Sequence, residues 1–315
     1  MSAMTDDVVT GAGVRTGTNA GLVLALTSAV SFGLSGSLAT SLFAAGWSTG
    51  AVSLVRVAVG ALIAAPLGFV ALRGRWGAVR DNLGVILGYG LMSVAGAQFS
   101  FFAAIQHMDV GPALLIEYTA PATVVGWMWL RHGQRPGPLT LAGAAVAVCG
   151  LVLVLNLVGG GGGLDPIGVA WALAGMTGTA TYFIVIGTTD DRLPSIGLAA
   201  CGLVVGALAL GLLGAVGLLP FHGSDAPVHL AGVTTAWWIP LLGLGVISCG
   251  LAYLTGVGAG RLLGARLASF VALVEVVAGV GFAWLLLGQW PAPIQLLGGL
   301  LIVAGVVSVR MAERD

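Results

Sequence analysis

Ten long apolar runs, separated by short polar connections, make up almost the whole chain. Each run has about 18 residues or more, the length that an α-helix needs to cross a hydrocarbon layer of about 30 Å. The connections are rich in Gly, Pro, Asp and Arg, as turns usually are. The predicted spans, numbered 1 to 10 in chain order, are residues 20–43, 51–72, 84–105, 111–130, 138–157, 166–187, 196–219, 236–258, 266–287 and 292–309.

The arginines outside the spans follow a strict alternation. They lie before span 1 and after spans 2, 4, 6, 8 and 10, whereas the connections after spans 1, 3, 5, 7 and 9 contain none. Loops that carry Arg stay on the cytoplasmic side. The pattern predicts an all-α integral protein of the cytoplasmic membrane with ten transmembrane helices and both termini cytoplasmic. The first apolar run exceeds the 7–15 residues of a signal-peptide core, so we expect it to be retained.

One motif occurs twice at a spacing of 155 residues. "GQRPGPLTLAGA" begins at Gly133 and "GQWPAPIQLLGG" begins at Gly288. The first copy follows span 4 on the cytoplasmic side and the second follows span 9 on the opposite side, so the halves form an inverted repeat of five plus five helices. Many secondary transporters are built in this way. The predicted segments are a cytoplasmic tail (1–19), a first repeat (20–157), a Gly-rich linker (158–165), a second repeat (166–310) and a cytoplasmic tail (311–315).

Composition narrows the possible chemistry. Apolar residues make up 58% of the chain and charged residues only 8%, with zero net charge, so a nucleic-acid partner is not expected. All twelve basic residues are Arg, which excludes a P-loop and a Lys Schiff base. The three Cys lie singly, without metal-ligand spacing. We expect no cofactor and no metal, and as partners the lipid bilayer and a small-molecule substrate, moved by a proton or substrate gradient.

The repeats and their Pro-bearing turns resemble the EamA family of the drug/metabolite transporter superfamily, from Ala20 to Arg310. The resemblance lies in "EYTAPATVVGWMWLRHGQRPGPLTLAGAAVAVCG" and "ASFVALVEVVAGVGFAWLLLGQWPAPIQLLGGLLIVAG". It implies a cytoplasmic-membrane carrier that moves small metabolites by alternating access, often an exporter of amino acids or related compounds. Gln134 and Gln289 depart from the family pattern, which usually has Glu in these turns.

Three charged residues, Arg56, Glu117 and Glu275, lie well inside the predicted spans. A charge in a spanning helix costs at least about 2.5–3.5 kcal/mol, so such residues are candidates for a functional site. At a rise of 1.5 Å per residue, Glu117 lies about 9 Å and Glu275 about 14 Å from the nearer helix end, close to the midplane from opposite sides. They bind a proton or an amine, or they form a structural pair, for instance with Arg56. Arg56 is likewise a candidate for substrate or proton binding, and its alternatives are a structural charge and a side chain that snorkels to the interface.

Further candidates surround these charges. Tyr118, Gln98, Tyr182 and Tyr253 offer polar groups and rings for contact with a cationic substrate. Three prolines are candidate gate elements. Pro121 is expected to interrupt span 4 one turn after Glu117, and Pro136 and Pro291 lie in the two repeated turns.

Other classes of protein are less well supported. "GLSG" at 33–36 matches intramembrane serine proteases, but all four His lie in loops or at helix ends, so no general base is expected near the serine and the protein is not expected to be an enzyme. A channel and a non-transporting sensor or scaffold remain as alternatives. Saturable counterflow in proteoliposomes distinguishes a carrier from both.

The predicted topology can be tested with single cysteines in a variant lacking Cys149, Cys201 and Cys249. A cysteine at Ser224 should react with an impermeant maleimide from outside the cell, and one at Gly77 only from inside, since the two connections lie on opposite sides. Labelling of both from one side would contradict the inverted repeat.

Overall fold

The protein structure is a computed structural model that describes residues 6–120, 123, 130, 137–154, 164–188 and 193–312. Within these ranges the chain is almost entirely helical, and one short hairpin supplies the strands. The helices are α1 (Asp6–Ala44), α2 (Thr49–Ala71), α3 (Trp76–Asp81), α4 (Leu83–Gly88), α5 (Ala97–Ala104), α6 (Val110–Glu117), α7 (Pro138–Val154), α8 (Pro166–Thr188), α9 (Ser195–Ala215), α10 (Trp238–Leu242), α11 (Ala252–Ala272), α12 (Val274–Leu287) and α13 (Pro293–Ala312).

Two helices contain π-helical segments, and one connection contains a hairpin. The segment π1 (Tyr89–Gly96) joins α4 to α5, and π2 (Gly243–Leu251) joins α10 to α11. Strands β1 (Val228–Leu230) and β2 (Val233–Thr235) pair antiparallel around Ala231 and Gly232, which both have positive φ. The sequence pattern did not predict this hairpin, because it is only three residues long on each side.

Five helical stretches in the described part of the chain are long and apolar enough to cross a membrane, judged by length and composition. They are Asn19–Ala44, Thr49–Ala71, Leu83–Ala104, Ser195–Ala215 and Trp238–Gly260. Shorter apolar helices are Leu141–Val154, Val274–Leu287 and Pro293–Ser308. The protein is therefore an all-α membrane protein, and the count of ten spans stays a prediction.

The helix contacts of the two halves occur in matching pairs. α1 lies along α11 and α12, and α8 lies along α5 and α6. α2 contacts π2 and α9 contacts π1, while α2 packs on α9, α6 on α12 and α7 on α13. The segments π1 and π2 end at Gly96 and Leu251, which are 155 residues apart like Gly133 and Gly288. Because π-helical segments are rare, this coincidence indicates that the two halves share one local structure.

The backbones of α7 and α13 touch where they cross. A Cβ atom added to Gly150 would lie 2.5 Å from the carbonyl oxygen of Gly298, and one added to Gly298 would lie 2.6 Å from that of Gly150. A Cβ atom on Gly305 would lie 2.5 Å from the carbonyl oxygen of Gly143. Glycine permits this approach because it has no side chain. The two helices of this crossing are equivalents of each other in the repeat. Gly143 corresponds to Gly298 and Gly150 to Gly305, in each case 155 residues apart.

The connections predicted to lack Arg lie together at one end of the bundle, which we name the arginine-free end. The contacts that join them are Ser48 N–His222 O (3.0 Å), Trp47 Nε1–Ser224 O (3.0 Å), His107 Nδ1–Asp165 Oδ2 (2.9 Å), Val110 N–Gln289 Oε1 (3.2 Å) and Ala231 N–Leu286 O (3.0 Å). Each of the five connections is therefore hydrogen-bonded to another one, and Ala231 of the hairpin is bonded to the last turn of α12.

The region between spans 8 and 9 differs from the prediction. The sequence placed Arg261 and Arg266 in and beside a loop, but α11 is helical through both positions and the helix is interrupted only at Leu273. The chain nevertheless turns back within this region. Leu263 lies beside Gly21 near the start of the apolar part of α1, whereas Gly279 lies beside Gly33 farther along the same helix. A straight continuation of α11 would have carried Gly279 away from Gly33.

The first helix is longer than predicted. It begins at Asp6, so most of the predicted tail (1–19) is helical in the structure. Of the predicted linker (158–165), residues 158–163 lie outside the described residues, as does most of the predicted tail 311–315.

The glycine crossing generates a stability prediction. Replacing Gly298 with Ala should lower the free energy of unfolding by about 1–3 kcal/mol, because the added methyl group would meet the backbone of α7. Gly281→Ala is the matched control, since a Cβ atom there meets nothing within 4 Å. Thermal unfolding in detergent compares the two, and equal stability of both variants would contradict the crossing.

Candidate functional site

Two helices are interrupted at equivalent positions deep in the bundle. α6 ends at Glu117 and is followed by a turn at Tyr118 and Thr119, and α11 and α12 are separated at Leu273. Tyr118 and Leu273 are 155 residues apart. The sequence predicted an interruption after Glu117 and assigned it to Pro121, which lies outside the described residues. It predicted none at Leu273, where no proline is present.

The two carboxylates of the spans lie beside these interruptions. Thr179 Oγ1 donates a hydrogen bond of 2.6 Å to Glu117 Oε1, and the Tyr118 hydroxyl donates one of 2.6 Å to Glu275 Oε2. Both carboxylates are half-buried and interact electrostatically with each other. Tyr118 comes from the turn that follows Glu117, so it links the two carboxylate sites directly.

Arg56 is buried in the same region, and its relative exposure is 2%. Its Nη1 donates to Gln98 Oε1, its Nη2 donates to the carbonyl oxygen of Ser248 at 3.1 Å, and its guanidinium carbon lies 5.1 Å from the centre of the Phe102 ring. The possibility that Arg56 snorkels to the interface is therefore wrong. The guanidinium instead points inward, because α5 and π2 supply its hydrogen-bond acceptors there.

All four tyrosines of the chain belong to this region. The rings of Tyr89 and Tyr182 are 5.9 Å apart, and Tyr253 packs edge-on against Phe32 at 5.2 Å. Tyr253 interacts electrostatically with Arg56 and Tyr89, and Tyr182 interacts electrostatically with Glu275.

The structure thus brings together every predicted substrate-site or proton-site residue, namely Arg56, Gln98, Glu117, Tyr118, Tyr182, Tyr253 and Glu275. Sequence reasoning missed Tyr89, Thr179, Phe32 and Phe102. A complete count of the tyrosines inside spans would have found Tyr89. Thr and Phe are too common in apolar helices to stand out. Among the described residues, no group of three or more His, Cys, Asp or Glu could hold a metal ion.

The second repeated turn contacts the start of α6 at the arginine-free end. Gln289 Oε1 accepts a hydrogen bond from the backbone N–H of Val110 at the start of α6. Gln289 and Pro291 line a small cavity together with Asp109, whose pKa is raised by partial burial. A Glu at 289 would bring a second carboxylate next to Asp109, which Gln avoids. Pro136 and Gln134 of the first repeated turn lie outside the described residues.

Comparison with known proteins identifies the family. The sequence model of the EamA-like transporter family matches the chain twice, at residues 19–156 and 166–311. The chain belongs to the EamA-like transporter family. One match covers each half of the chain, and together they include every residue of the cluster.

Named relatives of this EamA-like protein are amino-acid exporters. It is 28% identical to the threonine/homoserine exporter RhtA of Escherichia coli K12 over 93% of this chain and 92% of the relative. It is 27% identical to a "Probable terminal-alkyne amino-acid exporter" of Streptantibioticus cattleyicolor, over 84% and 85%. It is 28% identical to the aromatic amino acid exporter YddG of Ancylobacter novellus, over 63% of each chain.

A solved crystal structure shares the fold. It has a TM-score of 0.59 and 21% sequence identity, and the match covers 95% of this chain and 99% of the other. The helix arrangement described above therefore recurs in a protein of low sequence similarity.

The turn at Gln289 and Pro291 generates a prediction about gating. Gln289→Ala and Pro291→Ala should each slow transport about two- to tenfold and change the half-saturation concentration less than twofold, because they loosen a closing contact worth about 0.5–1.5 kcal/mol without touching the cluster. Gln295→Ala is the matched control, since Gln295 Oε1 accepts only from Ala292 N of its own turn. A loss of affinity without a loss of rate would place this turn at the substrate site.

Proposed function

We propose that this EamA-like protein is a secondary active transporter that exports amino acids or related amino compounds across the cytoplasmic membrane by alternating access. The observation that carries the proposal is the cluster of Arg56, Glu117 and Glu275 in the interior of an apolar helical bundle. Charges in such a place are energetically costly, so a chain that carries them there is expected to use them. The family and the names of the relatives support transport in the export direction.

We further propose ten transmembrane helices in two inverted repeats of five, covering residues 20–157 and 166–310, with both termini cytoplasmic. The paired helix contacts support this arrangement, as do the equivalent π-helical segments and the two matches to the family. The gathering of the five connections without Arg at one end supports it as well. Two similar halves that meet around one site are suited to rock between two open states.

In this proposal Glu117 and Glu275 bind the ammonium group of the substrate or a coupling proton. With all groups ionised, one guanidinium and two carboxylates carry a net charge of −1, so a cation or a proton neutralises the cluster. The half-buried rings of Tyr182 and Tyr253 border it and offer apolar and cation–π contact. Thr179 and Tyr118 hold the carboxylates in place through hydrogen bonds.

A channel or a sensor would use the same residues differently. A channel builds rings of charges or carbonyls along an open path, whereas here one guanidinium and two carboxylates interact electrostatically and form no ring. Counterflow of a radiolabelled amino acid in proteoliposomes separates these functions, because only a carrier exchanges internal for external substrate with saturation.

Replacing Glu117 with Gln tests the role of the carboxylates. Transport should fall at least about tenfold and lose its pH dependence, whereas the yield of folded protein should change little, because Gln keeps the shape and still accepts from Thr179. The substrate is chosen by measuring which of the twenty amino acids an overexpressing strain releases. Glu275→Gln should have a similar or milder effect.

Asp165→Asn is the matched control for this experiment. It removes a carboxylate that pairs with His107 at the arginine-free end, outside the cluster, and should leave the rate and its pH dependence largely unchanged. If Glu117 only stabilised a structural pair, the Gln variant would instead lose folded protein. Full-rate, pH-sensitive transport by Glu117→Gln would remove Glu117 from the mechanism.

A further inference from the structure

Arg56 is a buried cation without a carboxylate at salt-bridge distance. In the described part of the chain, the one ion pair is His107–Asp165, at the arginine-free end. The Arg56 charge interacts electrostatically with Glu117 and Glu275, but neither carboxylate lies within 4.0 Å of it. A charge removed from water is strongly unfavourable unless it is paired, and Arg56 has no directly paired anion among the described residues.

Unused hydrogen-bond donors surround this charge. Arg56 Nε, Ser53 Oγ and Ser248 Oγ are all buried and have no hydrogen-bond partner among the described residues. Ser53 precedes Arg56 by three residues and so lies on the same face of α2. Ser248 lies directly against the guanidinium, because its carbonyl oxygen accepts from Arg56 Nη2. Buried polar groups are normally hydrogen-bonded, and here Arg56 and two neighbouring serines each have a donor that lacks an acceptor among the described residues.

We propose that Arg56, Ser53 and Ser248 bind the carboxylate of the substrate, while Glu117 and Glu275 hold its ammonium group. The planar guanidinium is suited to a carboxylate, which accepts two hydrogen bonds side by side. This inference rests on the proposed transport function and adds which compounds the transporter accepts. The protein recognises amino acids with a free carboxylate and rejects the corresponding amides and amines.

The position related to the carboxylate site by the repeat provides an internal control. Ser93 is the repeat equivalent of Ser248, 155 residues earlier, and it too is buried in a π-helical segment without a hydrogen-bond partner. Gly206 approaches Val94 as Gly60 approaches Cys249. Gly206 therefore corresponds to Gly60, and Gly202, four residues before it, corresponds to Arg56. The position equivalent to Arg56 thus carries no guanidinium.

The wild-type protein tests the inference without any mutation. Purified protein in proteoliposomes is offered the twenty L-amino acids and, separately, their carboxamides, and counterflow of each is measured by mass spectrometry. For at least one amino acid, uptake should exceed that of its amide by about tenfold or more, the effect of losing a hydrogen-bonded charge. Equal uptake of amides would overturn the carboxylate site and leave the transport function standing. If neither amino acids nor amides were taken up, both the carboxylate site and the transport function would be overturned.

Variants then identify the residues that discriminate amino acids from their amides. In Arg56→Gln the uptake ratio of amino acid to amide should fall towards one, and this ratio does not depend on how much protein folds. Ser248→Ala should lower the ratio severalfold, whereas Ser93→Ala should leave it unchanged. Equal effects of the two Ser variants, or an unchanged ratio in Arg56→Gln, would overturn the proposal. Stabilisation of the purified protein by chloride alone, insensitive to amino acids, would assign the site to an inorganic ion and also overturn it.

Discussion

Direct backbone contact between helices is the constraint on which the rest of this structure depends. Where α7 crosses α13, carbonyl oxygens of one helix lie where a side chain of the other would start, and only Gly fits. Lipid tails are as apolar as the helices, so close packing rather than the hydrophobic effect holds such helices together. The close approach at this crossing occurs twice, as Gly150–Gly298 and Gly143–Gly305, because both halves use one pattern.

The charged residues do not follow this symmetry. The repeat equivalents of Glu117 and Glu275 are Ala272 and Ala120, and the position that corresponds to Arg56 is Gly202. The backbone frame is therefore nearly symmetric, while the chemistry within it is not. An asymmetric substrate requires such an arrangement, since its two ends differ in charge and a symmetric site would bind neither end well.

The sequence predicted the features that have a long pattern or a rare residue type. It missed the features that depend on contacts with other helices. Apolar runs and the alternation of Arg located the helices and their connections, and rare charges located the cluster. The inward direction of Arg56 was not predictable from α2 alone, because that helix is apolar on nearly every side and its rotation depends on π2 and α5. The interruption at Leu273 carries no proline or glycine, so only the equivalence with Tyr118 could have revealed it.

Each end of the proposed site contains residues of both halves, and this bears on how binding leads to transport. The carboxylate end contains Arg56 of the first half and Ser248 of the second, and the ammonium end contains Glu117 of the first half and Glu275 of the second. A ligand shifts a conformational equilibrium only by its difference in affinity for the two states. A molecule that reaches both ends makes contacts that an open state, with its halves apart, cannot make. A molecule that reaches only one end has a smaller difference in affinity between the closed and the open state. It therefore shifts the equilibrium less towards the closed state, even when it binds.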